Sequence, residues 1–362
     1  MIPPELIGPR PAGLGGVILA GGAARRLGGG DKGRRVVAGR SILDRQLALL
    51  APQVAELALN ANGPADRFAE TGLAVLPDPP GTAGPLAGLL AGLDWAAGRG
   101  LTRLLTVPCD LPFVPRDLAL RLAAGAGGGP AVVASAGRVH PVIGLWPVGW
   151  RDDLRRFLAE TGERRAMAWV ARCGAAVVDW PEDPFLNLND PAGLAEAEAW
   201  AAAPPPWPAA ILIPAGDSAQ ELLVDAVAAA RAGGLSVGGL IQQGRRGEAV
   251  LVALDDGEHL PIMQKLGRSD SCAVDGGAVA EACRVVRRAV ERGDDLVVVN
   301  KFGPLEAERS GLADEMMAAM AGGRRLLTTV TLDRVAAWLA FTGGLCTLLP
   351  ADPGVVRAWL EE

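Results

Sequence analysis

The sequence predicts an α/β protein of two domains, each a sheet with flanking helices. Three observations carry that prediction. Short apolar runs of β character alternate with amphipathic stretches of helical period, the pattern of βαβ units and parallel sheets. The chain has 362 residues, more than a single hydrophobic core usually serves. Near the middle, the run AAAPPPWPAA over 201–210 interrupts the alternation; consecutive prolines cannot continue a helix and favour a stiff extended spacer. The expected organisation is an N-terminal extension over 1–14, a first domain over 15–202, a Pro-rich linker over 203–209 and a smaller α/β domain over 210–362.

In the first domain, strands are expected over 16–19, 54–59, 73–76, 104–107, 131–134, 142–145 and 175–178. Helices are expected over 41–50, 85–97, 115–124, 150–160 and 191–202, with Pro115 and Pro191 in first turns, where a missing N–H leaves no bond unmade. The glycine-rich stretch 125–130 reads as a loop. In the second domain, strands are expected over 210–213, 235–241, 249–253, 296–299 and 325–330. Its helices fall over 218–232, 275–292, 311–321, 333–340 and 353–360, and no internal repeat is evident.

Composition removes several classes of function. Half the residues are hydrophobic and 21% are charged, which excludes a disordered chain. The net charge of −6 leaves no broad basic field, so nucleic acid is not an expected partner. No apolar run approaches the ~18 residues that a membrane helix needs, so no membrane partner is expected. The start, MIPPELIGPRPAG, lacks the charged and apolar regions of a secretory signal. Five scattered cysteines without a C-x-x-C fit a reducing cytoplasm rather than a zinc site or disulfide scaffold. Only three of the 35 basic residues are lysine: Lys32, Lys265 and Lys301. A lysine kept against such a bias toward arginine points to a need for a compact ammonium.

The strongest motif opens the first domain. An apolar strand runs into Leu19-Ala20-Gly21-Gly22, followed by Arg25, Arg26, Leu27 and then Asp31-Lys32-Gly33. Glycines let backbone N–H groups approach phosphate oxygens, and the cations offset a triphosphate's charge. No G-x-x-x-x-G-K-[ST] occurs, and the G-x-G-x-x-G dinucleotide fingerprint is missing. Walker-type hydrolysis and hydride transfer therefore lose ground.

L-A-G-G-x-x-x-R-x-G followed by D-K-G resembles the signature of nucleotidyltransferases related to sugar-nucleotide pyrophosphorylases, and more narrowly that of molybdenum cofactor guanylyltransferases, the MobA type. Leu27 replaces the usual methionine and conserves volume. The resemblance extends over about 15–202 through Asn60 and Asn62, Pro77-Asp78, the 84–88 stretch GPLAG, the 108–112 stretch PCDLP, His140-Pro141, Glu163-Arg164-Arg165, and Asn187, Asn189 and Asp190. It implies a Rossmann-like nucleotidyltransferase sheet in the first domain.

Asp110 follows a strong strand candidate, where open α/β sheets bind ligands. A hard carboxylate there can hold Mg²⁺ against phosphate oxygens, or cap a turn before Pro112. The resemblance implies the metal role. Leu19, Ala20, Gly21, Gly22, Lys32, Asn62, Asp78, Gly84 and Asp110 are the expected nucleotide contacts. Asp78 alternatively opens a turn with Pro79. Asn187 and Asn189, which either help place metal, phosphate or pterin or cap the helix at Pro191, join His140 and Arg164 as expected pterin-side or supporting residues. His140 alternatively serves only the turn before Pro141, and Cys109 reads as a small core residue.

The implied reaction moves GMP from GTP to the terminal phosphate of molybdenum-bound molybdopterin, with loss of pyrophosphate. Its expected catalytic residues are Lys32, Asp110 and Arg25, and its expected cofactor is Mg²⁺. An attacking phosphate is already ionised, so no strong base is required. Expected partners are GTP and Mo-molybdopterin, with transient contact to molybdoenzymes or other cofactor-biosynthesis proteins, in the cytoplasm. Alternatives are a cytidylyltransferase or other NTP transferase of the same fold, and a non-catalytic cofactor carrier or chaperone. Related cytidylyltransferases tend to read T-A-A-G where this chain has Leu19-Ala20-Gly21-Gly22, which favours GTP.

The second domain resembles an uncharacterised family that accompanies molybdenum genes, through the 299–303 stretch VNKFG together with Gln264-Lys265, Ser271-Cys272, Glu306 and Gly311. It also looks distantly like P-loop nucleotidases, but the P-loop is absent after its first strand. Asn300, Lys301, Glu306 and Lys265 are its candidate site, for an anion, a nucleotide-like ligand or the molybdenum cofactor; a solvated loop with a helix start is the other reading.

Overall fold

The computed structural model describes residues 11–20, 32–161, 165–181, 183–185, 188, 191–202, 208–215, 217, 219–244, 250–261, 263–264, 273–274 and 276–361. The chain divides into two compact units, Met1–Pro204 and Pro205–Glu362. Both are α/β.

The first unit contains strands β1 (Leu14–Leu19), β2 (Val36–Val37), β3 (Arg40–Ser41), β4 (Glu56–Asn60), β5 (Ala74–Leu76), β6 (Arg103–Pro108), β7 (Ala131–Ser135), β8 (Arg138–Pro147) and β9 (Ala176–Trp180). Seven of them form one sheet in the order β5-β4-β1-β6-β8-β7-β9. Its helices are α1 (Ile42–Leu50), α2 (Pro85–Gly98), α3 (Leu118–Ala126), α4 (Arg151–Thr161), α5 (Ala166–Cys173) and α6 (Pro191–Ala202). The near-continuous apolar reading of β1 and β6 reflects burial on both faces, as Leu14, Val17, Ile18, Leu104, Leu105 and Val107 are at most 1% exposed. One core cluster joins Val17, Ala58 and Leu104 to Leu86, Leu89, Leu90 and Leu93 of α2 and Trp169 of α5.

The alternation of elements predicts parallel pairing, and the sheet is mixed. β1 lies parallel to β4 and β6, whereas β8 runs antiparallel to both β6 and β7. A two-residue turn between β7 and β8, with Ala136 and Gly137 both at positive φ, makes an antiparallel hairpin. Pro191 does open its helix, but Pro115 stands ahead of α3, which starts at Leu118. The α5 helix, too short for a firm periodic signal, was not expected.

β8 departs from regular pairing. Val132 faces Gly144 while the next residue, Val133, faces His140, so Pro141, Val142 and Ile143 bow out of the ladder with β7. Such bulges tolerate proline and occur beside functional sites, where they re-aim side chains. The bow is braced from the other neighbour: Thr106 Oγ1 donates to the Val142 carbonyl at 2.9 Å, and Trp146 Nε1 donates to Thr106 Oγ1 at 2.9 Å.

The second unit contains β10 (Ala209–Ile213), β11 (Val237–Gln243), β12 (Val250–Ala253), β13 (His259–Pro261), β14 (Met263–Gln264), β15 (Ala273–Val274), β16 (Leu296–Val299), β17 (Arg325–Thr331) and β18 (Thr347–Leu349). Its main sheet has the order β13-β12-β11-β16-β17-β10-β18. The pairs from β11 to β18 are parallel, and β12 and β13 add an antiparallel edge. Helices α7 (Gln220–Ala232), α8 (Gly276–Arg292), α9 (Pro304–Ala307), α10 (Ala313–Ala321), α11 (Val335–Phe341) and α12 (Pro353–Leu360) accompany the sheet. Among the described residues, no helix is long and apolar enough to cross a membrane.

Candidate active site

Three parallel strands end together at the site: β1 at Leu19, β4 at Asn60 and β6 at Pro108. Leu19 faces Asn60 on one side and Pro108 on the other. The turn after β6 is fixed from below. Gln46, fully buried on α1, donates Nε2 to the carbonyls of Pro108 and Leu111 at 2.8 and 3.0 Å. The Asp110 carbonyl accepts from Leu188 N at 3.1 Å. The backbone around Asp110 is thus held on two sides.

Lys32 stands at the start of a short 3₁₀ turn, Lys32–Arg34, and its Nζ lies 2.9 Å from Asp110 Oδ2. The two residues are 78 positions apart in sequence, so the fold creates this pair. Asp110 is 8% exposed. Its second oxygen, Oδ1, is buried and has no hydrogen-bond partner among the described residues. Buried carboxylate oxygens are normally satisfied, so an unpaired one beside a cavity marks a place for a donor or a cation.

Asp110 lies where two cavities meet. The first, of about 240 Å³, is lined by Leu19, Lys32, Asn60, Asp78, Gly84, Pro85, Pro108, Cys109, Asp110 and Val142. Asp78 is gripped by two amides: Asn60 Nδ2 donates to Oδ1 at 3.0 Å and Asn62 Nδ2 donates to Oδ2 at 2.8 Å. Gly84 caps α2 with φ +84, a conformation that favours glycine. Gly88, one turn further on, lets α2 lie against the end of β4, because a Cβ there would stand 2.3 Å from Asn60 Oδ1.

The second cavity, of about 360 Å³, is lined by Pro108, Asp110, Leu111, Arg138, Val139, His140, Pro141, Val142, Ile143 and Phe185. The bowed segment of β8 forms much of its wall. His140 is buried, its ring tilted against Phe185 at 5.5 Å. Its Nε2 is 2.7 Å from Ser135 Oγ, which donates to Asp183 Oδ1 at 2.7 Å. Burial first, then Arg138, lowers the His140 pKa from the ordinary histidine value, against a smaller opposing pull from Asp183.

The structure therefore gathers Leu19, Lys32, Asp78, Gly84 and Asp110 around one cavity and sets His140 in the next. Ala20 follows β1, its N–H donating to the Asn60 carbonyl at 2.8 Å. Asn62 is exposed and acts on Asp78. Gly21, Gly22, Arg25, Arg164, Asn187, Asn189 and Lys265 lie outside the described residues. Asn60, from the matched Asn60–Asn62 stretch, also lines the first cavity, whereas sequence reasoning passed over Gln46, Ser135, Arg138 and Asp183. Gln46 and Asp183 show their part only through long-range contacts, and Ser135 and Arg138 only through the β7–β8 hairpin that sets them beside His140.

In the second unit, Asn300, Lys301 and Glu306 line a cavity of about 240 Å³, with mainly apolar walls from β11, β12, α8 and α9. Two of the three already serve the backbone. Asn300 Oδ1 accepts from Gln242 N at 2.9 Å. Glu306 accepts from Gly303 N at 2.8 Å and from Leu312 N at 3.1 Å. Phe302 is buried among Trp338 and Phe341. The VNKFG segment is thus largely a latch between strand end and helix start, with Lys301 as its exposed cation.

A family model described as a MobA-like NTP transferase domain matches residues 16–177. A protein of Bradyrhizobium sp. named molybdenum cofactor guanylyltransferase is 52% identical over 196 residues, covering 52% of this chain and 92% of its own length. A protein of the same name from Cereibacter sphaeroides is 52% identical over 186 residues, covering 51% and 95%. The chain belongs, through its first unit, to this MobA-like family and is a nucleotidyltransferase. The crystal structure of molybdopterin-guanine dinucleotide biosynthesis protein A from Archaeoglobus fulgidus is similar at 21% identity and a TM-score of 0.41, over 52% of this chain and 98% of that one. Residues 208–359 match a family described as a protein of unknown function, DUF2478. That match does not extend to the expected likeness to P-loop nucleotidases.

Proposed function

We propose that the chain transfers GMP from GTP to the terminal phosphate of molybdenum-bound molybdopterin, releasing pyrophosphate and forming the molybdopterin guanine dinucleotide cofactor. The observation that carries this reading is the Lys32–Asp110 pair, with Nζ and Oδ2 2.9 Å apart, at the boundary of two cavities that share Pro108, Asp110 and Val142. Two substrates that exchange a phosphoryl-linked group need adjoining pockets with one charged point between them. The cavity with Asn60, Asp78 and Gly84 suits the nucleoside triphosphate, and the one with Arg138 and His140 suits the acceptor.

An acceptor phosphate oxygen attacks the α-phosphorus, and the bond to the β-phosphate oxygen breaks, with its electron pair leaving on pyrophosphate. The protein's work is alignment and charge neutralisation. Lys32 neutralises charge on the α-phosphoryl oxygens. Arg25 and the backbone of Gly21 and Gly22 hold the leaving phosphates. Asp78, fixed by Asn60 and Asn62, offers a carboxylate to ribose or base. The unpaired, buried Oδ1 of Asp110 fits Mg²⁺, which commonly takes one or two carboxylates and completes its shell with phosphates and water. When bound, that ion supplies positive charge to the triphosphate.

GTP is favoured over CTP by the Gly21-Gly22 sequence and by the names of the relatives. Initial rates of pyrophosphate release with the two nucleotides, at equal concentration and with molybdopterin present, test this. GTP is expected to be the better substrate, and a preference for CTP would replace the reading with cytidylyl transfer. For the second unit we propose that the Lys301 cavity holds an anionic ligand related to the cofactor, which raises its local concentration for the first unit. Both steps would take place in the cytoplasm, with product passing on to molybdoenzymes.

A further inference from the structure

The hydrogen-bond chain at the acceptor cavity fixes more than the position of a ring. Ser135, at the end of β7, is fully buried, and its hydroxyl has a single proton. That proton goes to Asp183 Oδ1, at 2.7 Å. The Ser135 oxygen can then only accept from His140 Nε2, also at 2.7 Å. The imidazole must carry its proton on Nε2. Nδ1 is left as a lone-pair acceptor with no protein partner among the described residues. Contact with Phe185 limits the ring's freedom to turn over. The charged groups acting on the ring are Arg138 and Asp183, and burial together with Arg138 favours its neutral form. The bow of β8 at residues 141–143 gives this ring a cavity to face, because regular pairing would close β8 onto β7.

We propose that Ser135 and Asp183 are positioning residues that lock His140 in the Nε2–H tautomer, so that the cavity beside Asp110 presents Nδ1 to an N–H donor, and Arg138 to a phosphate, of a phosphorylated heterocyclic acceptor. This rests on the nucleotidyl-transfer reading and assigns the acceptor its recognition chemistry. His140 moves no proton in this role. It accepts a hydrogen bond that a protonated or wrongly tautomerised ring cannot accept.

The chain has only two histidines, His140 and His259, so ¹⁵N-histidine labelling of the full protein gives a simple spectrum that a His259→Gln variant assigns. At neutral pH the His140 proton is expected on Nε2. Adding molybdopterin is expected to shift the Nδ1 resonance, and adding GTP with Mg²⁺ alone is expected to leave it in place. Ser135→Ala should release a mixture of tautomers. It should raise KM for molybdopterin about tenfold while KM for GTP stays within about twofold, the loss of one well-placed hydrogen bond. Asp183→Ala should do the same, whereas Asp183→Asn, which keeps an acceptor oxygen, should preserve the tautomer. A wild-type proton on Nδ1, an Nδ1 resonance indifferent to molybdopterin, or an equal rise in both KM values would overturn the proposal. The wild-type spectra decide it even if the Ser135 variant does not fold. Absence of any transfer to molybdopterin would count against the reaction instead, and the tautomer would still report on the lock.

Discussion

At the residue scale, the centre rests on two side chains whose meeting no local rule predicts. Lys32 and Asp110 each carried a sequence signal, one a rare lysine after a glycine loop, the other an acid after an apolar strand. Their 2.9 Å contact is a product of the fold. Lys32→Ala is expected to lower kcat by about 10²–10³, the usual cost of losing one preorganised charge at a transition state, with little change in the urea unfolding midpoint. Steady-state rates with GTP and molybdopterin check this. His140 gives a second expectation. Its folded-state pKa lies below its unfolded one, so the unfolded chain binds the proton more tightly. Its effect on stability is therefore level above the unfolded value of about 6.5 and becomes a loss as pH falls toward the folded value. Urea unfolding across that range should show the wild type losing stability faster than His140→Gln; parallel curves would contradict it.

At the element scale, most strands and helices were legible because apolar periodicity reports burial directly. β1, β6, β10 and β16 are buried nearly throughout, and their sequences read as continuous apolar runs. What stayed hidden depends on pairing. The reversal of β8 and its bow at Pro141–Ile143 depend on the tight turn from β7 and on the pairing with β6, and β13, β14 and β15 are only two or three residues long, too short for a periodic signal. The site divides in the same way: the motif residues were visible, while Gln46 and Asp183 act across the fold and Ser135 through the hairpin pairing with β8. In the second unit, Glu306 looked like a ligand but satisfies the N–H groups of Gly303 and Leu312. Gly311 leaves it room, since a Cβ there would stand 2.4 Å from Glu306 Oε1. Glu306→Ala should therefore destabilise the second unit by about 1–3 kcal/mol, through one buried and one half-buried N–H donor left without its acceptor. Chemical denaturation followed by tryptophan fluorescence measures it, and an unchanged transition would return Glu306 to the list of candidate ligands.

At the scale of the whole molecule, each unit has its own sheet and its own core cluster, and the family matches fall separately within them. The proposed chemistry belongs wholly to the first. A fragment covering 1–204 is expected to unfold in a single transition and to retain transfer at saturating molybdopterin. The full chain should gain its advantage at low acceptor concentration, if the second unit gathers ligand. Equal rates at every concentration would remove that role from the second unit.

The most direct test of the central claim is mass analysis of products after incubating the full chain with GTP, Mg²⁺ and molybdopterin, beside the Asp110→Asn variant. The wild type should yield pyrophosphate and the guanine dinucleotide, and the folded variant should yield both at a rate lower by orders of magnitude. Dinucleotide formation by Asp110→Asn at the wild-type rate would contradict the account.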